Sequence, residues 1–356
     1  MIRADGSSKI GGGHLLRCLA LAERWRDRGG QVHLVTAEDS RAFFPRIGSE
    51  GIAIHTLNKV HPHEEDLKKT LEILRVLKDK NQNHQNLWVV LDGYHFDSPY
   101  LEAIHEAGYF LLVLDDMCRL PWYPCDLVLN PGLEVNGDVY TCCPETRVLS
   151  GVSYRLLRRE FLDRRGWKMQ VPDVARNLLV TLGAADSHNV TLKVVEVLLG
   201  LEVDGLRVKV VIGEANPHRE SLVVALSRRG VSNFELLGGV SDMASLMAWA
   251  DLAISGAGGT SWEMAFMGLP NLMIILSENQ WPVAEELSRT GCSVLLGQWE
   301  DLKAESMSGV IYDVLYDKKK RADMSRAGRA LVDGMGADRI VDEMTAFFSL
   351  SERARL

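Results

Sequence analysis

The stretch Ile254-Ser255-Gly256-Ala257-Gly258-Gly259-Thr260-Ser261-Trp262-Glu263 decides the fold. An apolar run over residues 252–255 breaks into a loop of small residues and resumes as a helical pattern that continues to Gly268-Leu269-Pro270. A buried strand, a Gly-rich turn and a helix make up the repeating unit of a parallel sheet, because parallel neighbours need a crossover connection. The same pattern recurs on both sides of this stretch. Residues 177–182, 206–212, 234–237, 271–275 and 293–295 read as further strands of this half, and 31–36, 87–91, 110–114 and 127–129 as strands of the other. Amphipathic helices over 15–28 and 66–80 fall between strands of the first half. An alternation that restarts once predicts an α/β protein of two doubly wound, Rossmann-like lobes facing a central cleft.

The polar stretch 163–176, interrupted by Gly166 and Pro172, suits a connection between the lobes. The expected division is a first lobe over 1–165, a linker over 166–176, a second lobe over 177–325 and a helical tail over 326–356 that packs back on the lobes. Met1-Ile2 is all that precedes the first loop, so the first strand is expected to be a stub, or the natural start to lie upstream.

Composition narrows the classes of function. At 356 residues, with 46% hydrophobic and 25% charged residues, the chain can bury two ordinary cores. A net charge of −8 and the absence of a long basic run argue against a nucleic-acid partner, and the strip Lys318-Lys319-Lys320-Arg321 reads as a solvated helix face. Neither a membrane span nor an export signal is indicated, which implies a cytoplasmic location. The six cysteines lack CxxC spacing and the histidines lack HExxH spacing, so free thiols, no metal and no cofactor are expected.

Ligands of open α/β sheets bind at the carboxyl ends of the strands, where helix N-termini favour phosphate. The informative loops lie there. Arg3-Ala4-Asp5-Gly6-Ser7-Ser8-Lys9-Ile10-Gly11-Gly12-Gly13-His14 leads into a helix whose first turn carries His14; the helix dipole there favours a neutral imidazole able to act as a base. A Gly-rich turn whose histidine caps the helix accounts for the same residues. In the second half, Gly258, Gly259 and Thr260 can offer N–H groups to a diphosphate, and Glu263, one turn on, can accept from ribose hydroxyls. The spacing is not GxGxxG after a first strand, so the dinucleotide fingerprint is not met. Thr181 to Asn189, Ile212 to His218 and Ser277-Glu278-Asn279-Gln280 also end strands, as do Leu91-Asp92-Gly93-Tyr94 and Leu114-Asp115-Asp116. Such residues favour turns regardless of function, and at least one of Asp115 and Asp116 is expected to bond local backbone.

With these loops in view, the chain resembles the UDP-sugar hydrolases of pseudaminic acid biosynthesis, which act on UDP-2,4-diacetamido-2,4,6-trideoxy-β-L-altropyranose. The resemblance runs through Arg3-Ala4-Asp5, Ile10 to His14 with Arg17, Leu91 to Tyr94, Asp115-Asp116, Tyr154 to Arg158, Gly183 to Asn189, Val240-Ser241-Asp242-Met243 and Asn279-Gln280. It implies a GT-B fold related to the peptidoglycan N-acetylglucosaminyltransferase. Catalytic roles are then expected for His14, Tyr94 and Asn279. Binding of the UDP-sugar is expected from Asp5, Gly13, Arg17, Gly183, Asn189, Gly258, Gly259, Thr260, Glu263 and Gln280, with Val240 and Met243 beside the uracil. The implied reaction is attack of water on the anomeric carbon with UDP leaving. Gly93 and His95 depart from the His-Tyr-Gly order expected of the family, Ala184 replaces a glycine and Ser187 a proline. A UDP-sugar-dependent glycosyltransferase is the alternative, since one fold serves both reactions.

Overall fold

The computed structural model describes residues 1–7, 11–80, 87–132, 134–183, 186–213, 216–228, 230 and 232–353. Among the described residues thirteen strands form two sheets, both wholly parallel. The first contains β1 (Ile2–Ala4), β2 (His33–Ala37), β3 (Ala53–Leu57), β4 (Trp88–Asp92), β5 (Phe110–Leu114), β6 (Leu127–Asn130) and β7 (Arg147–Ser150), in the order β3-β2-β1-β4-β5-β6-β7. The second contains β8 (Asn177–Thr181), β9 (Arg207–Ile212), β10 (Phe234–Gly238), β11 (Leu252–Gly256), β12 (Asn271–Ile275) and β13 (Ser293–Gln298), in the order β10-β9-β8-β11-β12-β13. In each sheet the order reverses beside the first strand of the unit, the topological switch point at which such sheets bind ligands.

Burial explains why these runs are strands. Every residue of β4 and of β12 is buried, the mark of a central parallel strand covered on both faces. Side chains alternate between the faces: Leu112 and Leu114 of β5 join one core with Leu15, Leu19 and Ile340, while Leu111 and Val113 join another with Leu101 and Ile104. The second sheet carries its own core of Val180, Val210, Ile254, Ile274, Ile311 and Val314.

The chain divides into two compact units. The first comprises Met1–Ser7, Gly12–Arg158 and Gly334–Leu356, and the second is built on Arg159–Asp333. The last helix, Gly336–Arg353, thus completes the first unit by packing on the helix Gly13–Asp27. It starts so close to the turn Val152–Tyr154 that a Cβ on Gly336 would stand 2.2 Å from the Arg155 carbonyl oxygen. Trp88 Nε1 donates to Met344 O at 3.2 Å, and Arg28 pairs with Asp338 at 3.3 Å.

The stretch 166–176 belongs to the second unit. Ala175 is buried and donates to Leu315 O, and Arg321 donates to the carbonyls of Pro172 and Asp173. Arg321 is a correction to the solvated basic strip. It is fully buried because its guanidinium also takes the carbonyls of Val314 and Leu315 at the end of the helix Ala304–Tyr316, which have no acceptor role within that helix.

Candidate active site

The first unit gathers ionisable residues from three strand ends and one helix. Gly13–Asp27 starts without a side-chain cap and places His14 in its first turn and Arg17 one turn later on the same face. β4 ends at Asp92, which is fully buried. His14 Nδ1 lies 2.6 Å from Asp92 Oδ1. Arg17 donates through Nε to Asp92 Oδ2 and through Nη2 to Oδ1, both at 2.6 Å, and through Nη1 to Asp116 Oδ2 at 2.7 Å. Cys18 Sγ donates to Asp92 Oδ2 at 3.4 Å. Tyr94 donates to Asp116 Oδ1 at 2.8 Å and meets the His14 ring edge-on at 4.8 Å between centroids.

Burial alone would raise the Asp92 proton affinity, but Arg17 and then His14 overcome it and hold the carboxyl far below the usual range. Asp116 is likewise lowered against burial by Arg17 and Tyr94. Tyr94 is raised by burial and by Asp116, so its phenol stays protonated. An ionised Asp92 can only accept, so in the neutral ring the proton of His14 resides on Nδ1 and the lone pair on Nε2. The His14 side chain is 13% exposed. The arrangement is a carboxylate-oriented imidazole whose Nε2 meets no hydrogen-bond partner among the described residues, as a general base requires.

Asp5 and Arg17, expected to bind substrate, are engaged within the protein. Asp5 Oδ1 accepts from Arg3 at 2.5 Å and from Ala37 N at 2.6 Å, while His95 Nε2 lies 3.2 Å from Oδ2, off the line of a hydrogen bond. Arg3 is itself buried and held by Asp66. Two glycines of the first loop serve packing: a Cβ on Gly12 would fall 2.4 Å from Phe43, and one on Gly6 2.6 Å from Leu15. Gly13 is exposed with open space beside it. Lys9 and Ile10 of this loop lie outside the described residues. Asp115 bonds local backbone as expected of one of the pair, accepting from the N–H of Met117 and Arg119. Asp92 was legible as a strand end but not as the partner of His14, 78 positions away.

In the second unit, β11 runs into the helix Gly259–Met267. Gly258 N–H donates to Gly256 O and Ser261 N–H to Gly258 O, whereas the N–H groups of Gly259 and Thr260 meet no acceptor among the described residues. Beneath them Asn271 Nδ2 donates to Ser255 Oγ at 2.8 Å, and Ser261 Oγ donates to Gly256 O at 2.9 Å, which fixes the loop. Gln280 accepts from Leu276 N at 3.0 Å, and its Nε2 would lie 3.8 Å from a Cβ on Gly258. Asn279 is exposed and accepts from Ser277 Oγ. Glu263 is half-buried. Two N–H groups unengaged among the described residues thus stand at a helix start, where backbone donors and the helix dipole suit an anion.

Residues 177–340 match the Glycosyltransferase family 28 C-terminal domain. The spore coat polysaccharide biosynthesis protein SpsG of Bacillus subtilis (strain 168) is 26% identical over 343 residues, 95% of this chain and 95% of that protein. The UDP-N-acetylglucosamine--N-acetylmuramyl-(pentapeptide) pyrophosphoryl-undecaprenol N-acetylglucosamine transferase of Geobacter metallireducens is 28% identical over 208 residues, 56% of each chain. Among solved structures, Acinetobacter baumannii MurG matches with a TM-score of 0.63 at 16% identity over 97% of this chain and 99% of that one. Phytolacca americana UGT2, complexed with UDP-2fluoro-glucose and pterostilbene, matches with a TM-score of 0.66 at 13% identity over 97% and 98%. The fold is therefore GT-B-like, with two parallel-sheet Rossmann-like domains, as the strand alternation implies.

The remaining candidates line strand ends of the second sheet. Gly183 is exposed with φ +90°, and Asn189, with φ +53°, donates to Ser221 Oγ at 3.2 Å. Asp186 caps the helix Val190–Leu199 through the N–H groups of Val190 and Thr191. Ala184, Ala185, Glu214 and Ala215 lie outside the described residues. Val240 is half-buried, and Met243 is buried as the first residue of the helix Met243–Trp249, which Asp242 caps through Ser245 N–H at 2.9 Å. Among the described residues no cluster of His, Cys, Asp or Glu could hold a metal ion, and no helix is long and apolar enough to cross a membrane.

Proposed function

We propose that this chain transfers the sugar of a UDP-sugar, with His14 as the general base that deprotonates the acceptor. The observation that carries the reading is the 2.6 Å contact from His14 Nδ1 to a buried, ionised Asp92, which leaves Nε2 to take a proton. The diphosphate is assigned to the N–H groups of Gly259 and Thr260, the ribose to Glu263 and the uracil to the segment from Val240 to Met243. Support comes from the matched domain over 177–340 and from relatives whose names specify a UDP-sugar donor. A positioned base and a helix N-terminus at the leaving group supply what glycosyl transfer needs without a metal ion or cofactor. The site of action is proposed to be the cytoplasm.

The acceptor divides two readings. A hydroxyl-bearing acceptor, giving a glycosyltransferase, accords with the named transferases among the relatives. Water as acceptor, giving hydrolysis of a UDP-2,4-diacetamido-2,4,6-trideoxyhexose, is the reading implied by the resemblance that His14, Tyr94 and Asn279 carry. The deciding experiment measures UDP release from candidate UDP-sugars in water alone and with acceptor sugars added. Release that needs an added acceptor establishes the transferase; full release in water establishes the hydrolase. If no UDP forms under either condition, the nucleotide-sugar reading is wrong.

A further inference from the structure

The turn after β5 is organised by one buried carboxylate. Asp115, 3% exposed, accepts from Met117 N at 2.8 Å, from Arg119 N at 3.3 Å and from Tyr123 Oη at 2.7 Å. Its own carbonyl accepts from Tyr140 Oη at 2.6 Å, and Tyr123 Oη accepts from Leu120 N at 3.0 Å. Within this turn Cys118 adopts φ +54°, a left-handed conformation uncommon for a residue with a side chain and held here by the bonds on either side of it. The consequence is a fixed departure point for Arg119, whose guanidinium carbon lies 4.9 Å from the centroid of the Tyr94 ring.

That ring is the one His14 meets edge-on, with its hydroxyl tied to Asp116. Arg119 and His14 therefore share contact with one aromatic ring. It is exposed and forms no ion pair with a described carboxylate, in contrast to Arg17, which is engaged on both sides. A guanidinium stacked on an aromatic face keeps its in-plane N–H donors free, and their fork matches a planar acceptor such as a carboxylate or an amide carbonyl better than it matches a hydroxyl. We propose that Arg119 recognises a carboxylate- or acylamino-bearing substituent of the transferred sugar and holds that sugar beside His14. The assignment rests on the reading of the chain as a UDP-sugar enzyme and adds to it the substituent that the site selects.

Calorimetric affinities for UDP, UDP-glucose, UDP-N-acetylglucosamine and UDP-glucuronic acid test it in the full-length protein, in Arg119→Ala and in Arg119→Lys. The wild type should bind a carbonyl-bearing donor more tightly than UDP-glucose. Arg119→Ala should remove that preference, roughly 10- to 100-fold if a charge-assisted hydrogen bond is lost, and leave the affinity for UDP itself unchanged. Arg119→Lys should keep part of the preference, and thermal unfolding of both variants should match the wild type. An unchanged preference in Arg119→Ala, an equal loss for every ligand, or a wild type that binds UDP without preference would each overturn the assignment. A wild type that binds neither UDP nor any of its sugars would overturn the functional reading, and the assignment with it.

Discussion

At Asp92 four donors converge on one buried carboxylate: His14 Nδ1, two nitrogens of Arg17 and Cys18 Sγ. Such a group has two consequences for His14. It fixes the ring by position, and it fixes the tautomer by being able only to accept. Asp92→Asn keeps the shape, but its amide can present a donor to Nδ1 and so move the ring proton to Nε2, where a base needs its lone pair. The expected outcome is a fall in kcat of roughly 100-fold or more, the range of a positioned general base, with UDP affinity retained. His14→Gln should fall by a similar factor. Steady-state kinetics with UDP binding measured in parallel checks both, and near-normal turnover in Asp92→Asn would remove Asp92 from the proposed role. The expectation that a helix start alone would tune His14 left out this carboxylate, because a strand end marks a loop and not the residue it will meet across the fold. Nor did the motif positions of Asp5 and Arg17 disclose the charge partners that each meets inside the first unit.

At the level of elements, the long apolar runs were legible as strands because central parallel strands are buried on both faces. The strands that composition did not reveal are β3 and β7, which lie at the two edges of the first sheet, whereas β1, three residues long, is the stub that was expected. Edge strands are half-exposed and mix polar with apolar residues, so no continuous run marks them. β3 carries a further consequence of its position. His55 there and His33 on β2 share a face of the sheet, with Nδ1 of His33 3.1 Å from Nε2 of His55. Burial, the facing ring and Lys80 lower His33, and burial and then Lys80 lower His55, both from an ordinary value of 6.5. Because the unfolded chain binds these protons more readily than the folded one, stability is complete above about pH 6.5 and declines as pH falls below it. Thermal unfolding midpoints measured across this range should drop on the acid side in the wild type and drop less in His55→Gln. An equal acid-side drop in both proteins would assign the sensitivity to other groups.

For the whole molecule, the restart of the strand alternation announced two units, while their boundary followed tertiary contacts that composition does not encode. The polar stretch 166–176 is drawn into the second unit by Arg321, and the final helix returns to the first through Trp88 and Gly336. This division separates the chemical roles proposed here: the base belongs to the first unit, and the unengaged N–H groups of Gly259 and Thr260 belong to the second. Donors aimed at a diphosphate stabilise the negative charge it gains on departure and leave its phosphorus without an activated nucleophile. A base that deprotonates the acceptor creates the nucleophile for the anomeric carbon instead. The bond broken should therefore be carbon to oxygen. A UDP-sugar labelled with heavy oxygen at the atom bridging the anomeric carbon and the β-phosphorus distinguishes the outcomes for any acceptor, water included. Carbon–oxygen cleavage leaves the label in UDP, where mass spectrometry reads it directly and no exchange with solvent erases it. Label recovered on the sugar would mean attack at phosphorus, and His14 could not then be the base that serves the anomeric carbon.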